Sequence, residues 1–234
     1  MENGISIIIP TYNVPEYLYE CVESIYNQKT GFNVEVIIGI DNCPDTLNHI
    51  NDNKEFYNKT KIYYFDENIG PYIIKNNLIN ETSNKNILFF DSDDVMNDGM
   101  LNMIHPMFKD NDIVRFKFQN FKTENGEKVM GTIEYGVGVF GVRKEKFMGV
   151  NGFENWLCQA DAEFKMRTEY LQFNTKQLED ICFKRRLHEK NLIKRDDTGM
   201  RSKIRKEYLR KTLEKPKGGK PQKLIKKYIR INEI

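Results

Sequence analysis

The sequence predicts an α/β protein in which a mostly parallel, Rossmann-like sheet is flanked by helices. Three observations support this fold class. Short apolar segments alternate with helix-compatible segments in the first half, polar and apolar residues alternate in the second half, and a basic segment follows. Alternating strands and helices are typical of right-handed βαβ units with parallel strands. The second half is therefore expected to add a small antiparallel portion, and the last residues a basic helical tail.

The first half contains four candidate strands and four candidate helices. The strands are predicted at 5–10, 34–41, 61–65 and 86–91, and the helices near 15–28, 45–58, 71–83 and 98–109. Pro15 suits the first turn of the first helix, because a proline there removes no hydrogen bond. The pair Asp98-Gly99 is typical of the opening of the fourth helix.

The second half is organised differently. Polar and apolar residues alternate on both sides of Asn125-Gly126, which is a strong signal for a hairpin turn. Residues 159–171 look helical, and residues 175–187 are compatible with a strand. Beyond Thr198, two basic and helix-compatible pieces are separated by the hinge-like stretch "KPKGGKP".

Charge is distributed unevenly along the 234 residues. The whole chain carries a net charge of +2, yet residues 201–234 have 13 Lys and Arg against 3 Asp and Glu, and the preceding residues have 23 against 31. The hydrophobic content of 39% argues against a disordered chain. The sequence has no apolar run of membrane-spanning length and no signal-peptide pattern, and its four cysteines form no C-x-x-C motif. These features predict a cytoplasmic protein with reduced thiols.

The most informative motif follows the fourth candidate strand. The apolar run "ILFF" leads directly into Asp91, Ser92, Asp93 and Asp94. Ligands bind at the carboxyl ends of strands in open α/β sheets, and clustered carboxylates repel one another unless a positive charge lies among them. A bound divalent cation would satisfy this cluster. The alternative is an Asp-rich turn that caps the following helix at Asp98.

Ordered sequence blocks resemble glycosyltransferase family 2, whose members have a GT-A fold. The blocks are "SIIIPTYN", "LYECVESIYNQ", "EVIIGIDN", "ENIGPYIIKNN", "ILFFDSDD", "GFENWLCQADAEFKMR" and "RRLHEKN". The resemblance covers roughly residues 4–192. It implies a nucleotide-sugar-binding half at 1–110, an acceptor-binding half of the same domain at 111–198, and a basic tail at 199–234.

The resemblance also assigns the donor site. It implies that a UDP-sugar is bound by Thr11, Tyr12, Asn13, Asp41, Asn68, Gly70, Lys75, Asp91 and Ser92. Asp93 and His188 match the positions that approach a Mn²⁺ or Mg²⁺ ion, and hard cations of this kind prefer carboxylate oxygen. For Asp41 a turn residue, for Lys75 an exposed helix face, and for His188 a surface histidine remain the alternatives.

Asp161 is the candidate general base of an inverting transfer. The family block commonly reads Glu-Asp-x-Asp, whereas this chain has Ala160 before Asp161. A carboxylate beside the acceptor hydroxyl is the usual base for attack on an oxocarbenium-like centre. The alternative role of Asp161 is to cap the helix that follows. Trp156 could stack on an acceptor sugar or fill the core.

The resemblance implies a hydroxyl acceptor, either a glycan or a lipid-linked glycan. A nucleotidyltransferase and a non-catalytic binder that docks on nucleic acid are the competing functions. The tail is also open to three interpretations. Its second piece would place Leu224, Ile225, Tyr228 and Ile229 on one helical face, which suits peripheral docking on an anionic membrane. The same helix could instead pack on the domain, or the basic residues could bind nucleic acid, as in a phage-type enzyme acting on modified DNA bases.

Overall fold

A single sheet between two layers of helices forms the body of the protein. The computed structural model describes residues 2–214 and 218–231. The strands are β1 Glu2–Thr11, β2 Val34–Asp41, β3 Thr60–Phe65, β4 Asn84–Phe89, β5 Val95–Met96, β6 Ile113–Glu124, β7 Glu127–Tyr135, β8 Phe140–Arg143, β9 Thr175–Arg186 and β10 Tyr228–Arg230. The α-helices are α1 Pro15–Tyr26, α2 Pro44–Asp52, α3 Pro71–Leu78, α4 Met100–Ile104, α5 Lys144–Gly149, α6 Ala160–Tyr170 and α7 Lys203–Glu214, with short 3₁₀ helices at Ile79–Glu81 and His105–Lys109.

The predicted parallel core of the sheet is confirmed. Strands β3, β2, β1 and β4 lie side by side and run parallel. β8 is antiparallel to β4 and β6, and β7 extends the sheet as a hairpin partner of β6. Asn125 and Gly126 form the hairpin turn with φ angles of 51° and 83°, as the Asn-Gly signal predicts.

Alternating residues of β1 show how the layers are held together. Ile7 packs into one cluster with residues of α1 and α4, whereas Ile8 packs into a second cluster with residues of α3, α5 and α6. Both isoleucines are fully buried. Apolar strands that are buried on both faces are typical of parallel sheets covered by helices. Among the described residues, no helix has the length and apolar content needed to cross a bilayer.

Proline rather than a side-chain cap begins the first three helices. Pro15, Pro44 and Pro71 each occupy an initial position, and none of these helices has a side-chain capping hydrogen bond. The alternative role of Asp98 is wrong, because Gly99 precedes α4 with a φ of 76° and no side chain caps that helix.

The structure corrects the prediction for the second basic piece of the tail. The first piece is α7, as predicted, but residues 221–227 are not helical and Tyr228–Arg230 forms β10, antiparallel to β3. The side chain of Asn77 binds this extended backbone: its Nδ2 donates to the Leu224 carbonyl at 3.2 Å, and its Oδ1 accepts from the Lys226 N–H at 2.9 Å. We call residues 221–231 the C-terminal strap. Part of the predicted hinge, residues 215–217, lies outside the described residues.

Candidate active site

A cavity of about 440 Å³ lies at the carboxyl ends of the parallel strands. It brings together most of the residues predicted from the sequence. Its lining includes Thr11, Tyr12, Asp41, Asn68, Gly70, Lys75, Asp91, Ser92, Asp93 and Asp161. This location is where ligands bind in open α/β sheets, because the strand ends and the loops that follow them form a crevice there.

Asn13 does not belong to this lining. Its side chain is exposed and its backbone is left-handed, with a φ of 56°. Asparagine tolerates this conformation, which here turns the chain from β1 toward α1. Asn13 therefore has a role in the turn, and its contact with the nucleotide stays a prediction. The neighbouring Thr11 fits the prediction better, because its Oγ1 is buried without a hydrogen-bond partner among the described residues.

Asp93 and His188, the two candidate metal ligands, are in direct contact. His188 Nε2 lies 2.7 Å from Asp93 Oδ2, and the Asn191 side-chain amide donates to the same oxygen at 2.9 Å. Asn191 also accepts a hydrogen bond from the backbone N–H of His188 at 2.8 Å, which fixes the turn after β9. The signal for Asn191 in the sequence is its position three residues after His188.

These donors fit a divalent cation as a partial ligand set. Asp93, which lines the cavity, supplies a carboxylate oxygen, and His188, which is not among the lining residues, supplies an imidazole nitrogen in contact with it. Within residues 2–214 and 218–231, no group of three His, Cys, Asp or Glu side chains could hold a metal ion alone. Mg²⁺ and Mn²⁺ are commonly bound by one or two protein ligands together with substrate phosphates and water, so the donor set is suited to a cation that arrives with a diphosphate.

Asp94 anchors the acidic cluster from behind. Its buried carboxylate accepts the Arg186 N–H at 3.0 Å, and Arg186 Nε donates to the Asp93 carbonyl at 3.0 Å. Burial raises the pKa of Asp94 well above its ordinary value, and the charges of Asp93 and Asp91 raise it further. Arg186 also forms an ion pair with Glu20 of α1. The cluster is therefore fixed to α1 and β9 rather than being a free turn.

Lys75 is buried rather than exposed on a helix face. Its side chain lines the cavity, and its ammonium group lies 3.2 Å from Asp91 Oδ1. Buried lysines are normally paired, because an isolated charge is costly to remove from water. Lys75 therefore brings a positive charge to the acidic cluster and fixes the Asp91 carboxylate.

Asp41 organises the loop between β3 and α3. Its two carboxylate oxygens accept the backbone N–H groups of Ile69 at 2.7 Å and Gly70 at 2.9 Å. Burial raises the pKa of Asp41, and these two hydrogen bonds oppose that effect. Gly70 has a φ of 83°, and an added Cβ would lie 3.1 Å from Leu157 Cδ2. The structural role of Asp41 is thus evident, and its contact with a nucleobase stays a prediction.

Asp161 lies in the first turn of α6 and faces the same cavity. The hydroxyl of Tyr72 donates to Asp161 Oδ1 at 2.8 Å, a contact that the sequence did not indicate. Burial raises the pKa of Tyr72 well above its ordinary value, and the Asp161 carboxylate adds to this shift. Tyr72 consequently remains a hydrogen-bond donor at neutral pH. Gln159, with a φ of 67°, precedes α6 and also lines the cavity.

The tail helix α7 completes one wall of the cavity. Tyr208 stacks on Trp156 with ring centroids 4.7 Å apart and an angle of 2° between the planes. Arg205 lines the cavity and donates to Gln159 Oε1 at 3.1 Å and to the Thr198 carbonyl at 2.7 Å. Trp156 is therefore covered by α7. Arg205 lies beyond the sequence blocks quoted above, the last of which ends at Asn191, so the sequence analysis did not identify it.

Residues 6–213 match the family model described as "Glycosyl transferase family 2". This match covers most of the chain, and the fold and site agree with it. The chain therefore belongs to glycosyltransferase family 2.

Curated proteins and solved structures show the same likeness. The chain is 30% identical to glycosyltransferase GlyG of Streptococcus pneumoniae over 129 residues, which are 54% of this chain and 42% of GlyG. It is 33% identical to the minor teichoic acid biosynthesis protein GgaA of Bacillus subtilis over 147 residues, which are 58% of this chain and 33% of GgaA. The chain thus spans less than half the length of these relatives.

A solved structure shares the fold. The crystal structure of S. aureus TarS 1-349 in complex with UDP-GlcNAc superposes with a TM-score of 0.66 and 21% sequence identity. The superposition covers 80% of this chain and 59% of the TarS chain. At this identity the likeness supports the predicted fold class, which is confirmed.

Proposed function

We propose that this protein is an inverting, metal-dependent glycosyltransferase that moves a sugar from a UDP-sugar to a hydroxyl acceptor. The observation that carries this proposal is the shared cavity. Asp161, the candidate base, faces the same space as Asp91 and Asp93, the candidate donor-side carboxylates. A base and an anchored leaving group in one enclosed site are what an inverting displacement needs, because the reacting atoms must be held in line.

Each side of the cavity has a distinct task in this proposal. Thr11 and Asp41 bind around the nucleoside, and Lys75 brings positive charge near the diphosphate. Asp93 and His188 would hold Mn²⁺ or Mg²⁺, and the cation would supply positive charge to the departing nucleoside diphosphate. Asp161 accepts the proton of the acceptor hydroxyl as that oxygen attacks from the face opposite the leaving group. Attack from that face inverts the configuration of the sugar.

The relatives guide the choice of substrates. TarS has been solved with UDP-GlcNAc, which makes this sugar nucleotide the first donor to test. GgaA is a teichoic acid biosynthesis protein, and another relative, from Campylobacter jejuni, is named as a glucosyltransferase acting on an undecaprenol-linked glycan. We propose a glycan or lipid-linked glycan of this kind as the acceptor.

UDP release from a panel of UDP-sugars, measured with MnCl₂ and with EDTA, tests the proposal. The expected result is release with at least one donor, dependence on the metal, and loss of both in Asp93→Asn. UDP release that is unaffected by EDTA would overturn the metal requirement. Failure of the wild-type protein to bind UDP or any donor would favour the non-catalytic alternative.

We also propose peripheral membrane contact through α7 instead of the strap. Leu209 and Leu213 are 46% and 65% exposed on successive turns of this helix, and Lys206 and Arg210 lie beside them. Apolar side chains flanked by basic ones favour binding to anionic lipid surfaces. Co-sedimentation with phosphatidylglycerol vesicles should fall in Leu209→Gln/Leu213→Gln. Equal sedimentation of wild type and variant would refute this contact, and binding to DNA instead would favour the nucleic-acid alternative.

A further inference from the structure

Gly138 marks a gap between the two carboxylates that matter most in the cavity. It lies in the loop between β7 and β8 and has no side chain to fill the space in front of it. A Cβ built on Gly138 would lie 3.1 Å from Asp161 Oδ2 and 4.0 Å from Asp91 Oδ2. A single methyl group at this position would therefore occupy the space between the candidate base and the donor-side carboxylate.

Both carboxylates are held in the same way on the far side of this gap. Tyr72 donates to Oδ1 of Asp161, and Lys75 contacts Oδ1 of Asp91, which leaves Oδ2 of each residue toward Gly138. Tyr72 and Lys75 are three residues apart on α3 and so project from one face of that helix. One short helix thus fixes the two walls of the gap relative to each other.

The third wall, the loop that carries Gly138, is also fixed. The buried guanidinium of Arg115 donates from Nη1 to the Val137 carbonyl at 3.2 Å. The same guanidinium lies over the ring of Phe140, 4.8 Å from its centroid. These contacts hold the loop on both sides of Gly138, so the loop cannot easily retreat from an added side chain.

We infer that Gly138 determines donor binding by keeping open the gap in which the transferred sugar lies, between Asp91 and Asp161. This inference rests on the proposed function, and it adds a residue and a location to it. The gap joins the nucleotide side to the base, so a sugar held there presents its reacting carbon to an acceptor bound next to Asp161. UDP, which lacks the sugar, does not need the gap.

Gly138→Ala is the direct test, and Gly136→Ala is its matched control. Neither glycine has a left-handed backbone, so alanine introduces no backbone strain at either position. A Cβ at Gly136 would lie 3.2 Å from Phe118 and away from the carboxylates. The dissociation constants of UDP and of UDP-GlcNAc, UDP-glucose and UDP-galactose are measured calorimetrically with MnCl₂ for all three proteins.

The deciding quantity is the ratio of two dissociation constants, that of the UDP-sugar divided by that of UDP. We expect Gly138→Ala to raise this ratio roughly tenfold or more for the preferred donor, since a misplaced methyl group in a substrate pocket commonly costs 10–200-fold. Gly136→Ala should leave the ratio within about twofold, well below that range. An unchanged ratio in Gly138→Ala, or the same rise in both variants, overturns the inference.

A second measurement uses the wild-type protein alone and does not depend on how the variants fold. Hydrogen exchange of the segment 134–140 should be slower with the preferred UDP-sugar than with UDP. Equal protection by the two ligands overturns the role of Gly138 while leaving the proposed function intact. Absence of any UDP binding by the wild type instead overturns the proposed function, and this inference with it.

Discussion

The proposed donor side and the proposed acceptor side of the cavity are built by different means. On the donor side, Thr11, Asp41 and Asp91 lie at or just beyond the ends of three parallel strands. On the acceptor side, Asp161 lies in the first turn of a helix whose preceding loop is covered by α7 through the Trp156–Tyr208 stack. Backbone pairing places the first group of residues, whereas contacts between distant side chains place the second.

This difference teaches where each property of the site resides. Strand ends in a paired sheet move little, so the donor side is suited to a ligand that is the same for many relatives, such as a nucleoside diphosphate. Loops held by side-chain contacts tolerate more sequence variation than the elements that they connect, so the acceptor side can vary between relatives. Substitutions on the two sides should therefore separate binding from turnover.

The largest expected effect is on turnover, from the acceptor side. Asp161→Asn removes the candidate base while keeping the hydrogen bond from Tyr72 possible. The kcat for transfer should fall roughly 10²–10⁴-fold, the range typical of a lost general base. The affinity for UDP should stay within about twofold, because the change does not touch the nucleotide. Asp196→Asn, at an exposed position, is the control. A loss of UDP affinity with unchanged turnover would reverse the assigned roles.

A donor-side substitution should act on binding instead. Lys75→Met keeps the length of the side chain but removes the charge beside Asp91. UDP affinity measured calorimetrically should weaken roughly 10–100-fold, since hydrogen bonds to charged groups contribute about 1.5–3 kcal/mol. The exposed Lys59→Met is the matched control. An unchanged affinity for UDP would show that Lys75 only neutralises Asp91.

Two consecutive asparagines of α3 allow a matched test of the two sides. Asn76 exchanges two hydrogen bonds of 2.9 Å with the backbone of Phe153, on the proposed acceptor side. Asn77 forms two hydrogen bonds, of 3.2 Å and 2.9 Å, with the backbone of the C-terminal strap. Each alanine substitution should lower the free energy of unfolding by about 1–3 kcal/mol, because buried backbone groups lose their partners. Chemical denaturation measures this loss.

The two variants should differ in activity, although each lowers the free energy of unfolding by a similar amount. Asn76→Ala should lower kcat, since the loop from Phe153 leads to Asp161, whereas Asn77→Ala should leave kcat nearly unchanged. Hydrogen exchange should localise the faster amides to Phe153 in the first variant and to Lys226 in the second. Equal effects of the two substitutions on kcat would mean that the loop from Phe153 and the strap do not differ in their influence on turnover.

The smallest expected effect concerns the ion pair between Lys226 of the strap and Glu67 of the donor-side loop. Glu67 is 62% exposed in this 2.5 Å contact. Exposed ion pairs contribute about 0.2–1 kcal/mol, so Glu67→Gln should change the free energy of unfolding by less than about 1 kcal/mol. A larger decrease in the free energy of unfolding at low salt would show that the strap stabilises the donor-side loop through charge.

The sequence predicted the parallel strands, and the polar residues at their ends, because these signals are local. An apolar run that ends in Asp91 or Asp41 describes a buried strand and the polar residue that follows it. The strap was predicted incorrectly because the spacing of Leu224 and Tyr228 also fits a helix. The open edge of β3 and the side chain of Asn77, about 150 positions away in sequence, determine its extended form. Tyr72 was missed for the same reason, since its partner is 89 residues distant.

Strand β10 has a consequence for how the protein behaves in solution. It occupies the edge of β3, where Tyr228 packs against Tyr63 and Phe65 and donates a hydrogen bond to Glu81. An uncovered sheet edge offers unpaired N–H and C=O groups to other chains and promotes aggregation. Shortened versions that lack β10 should therefore self-associate. In a fragment ending near residue 200, a loss of activity could result from aggregation rather than from a missing functional residue. Point substitutions keep β10 in place and therefore test the function of the tail directly.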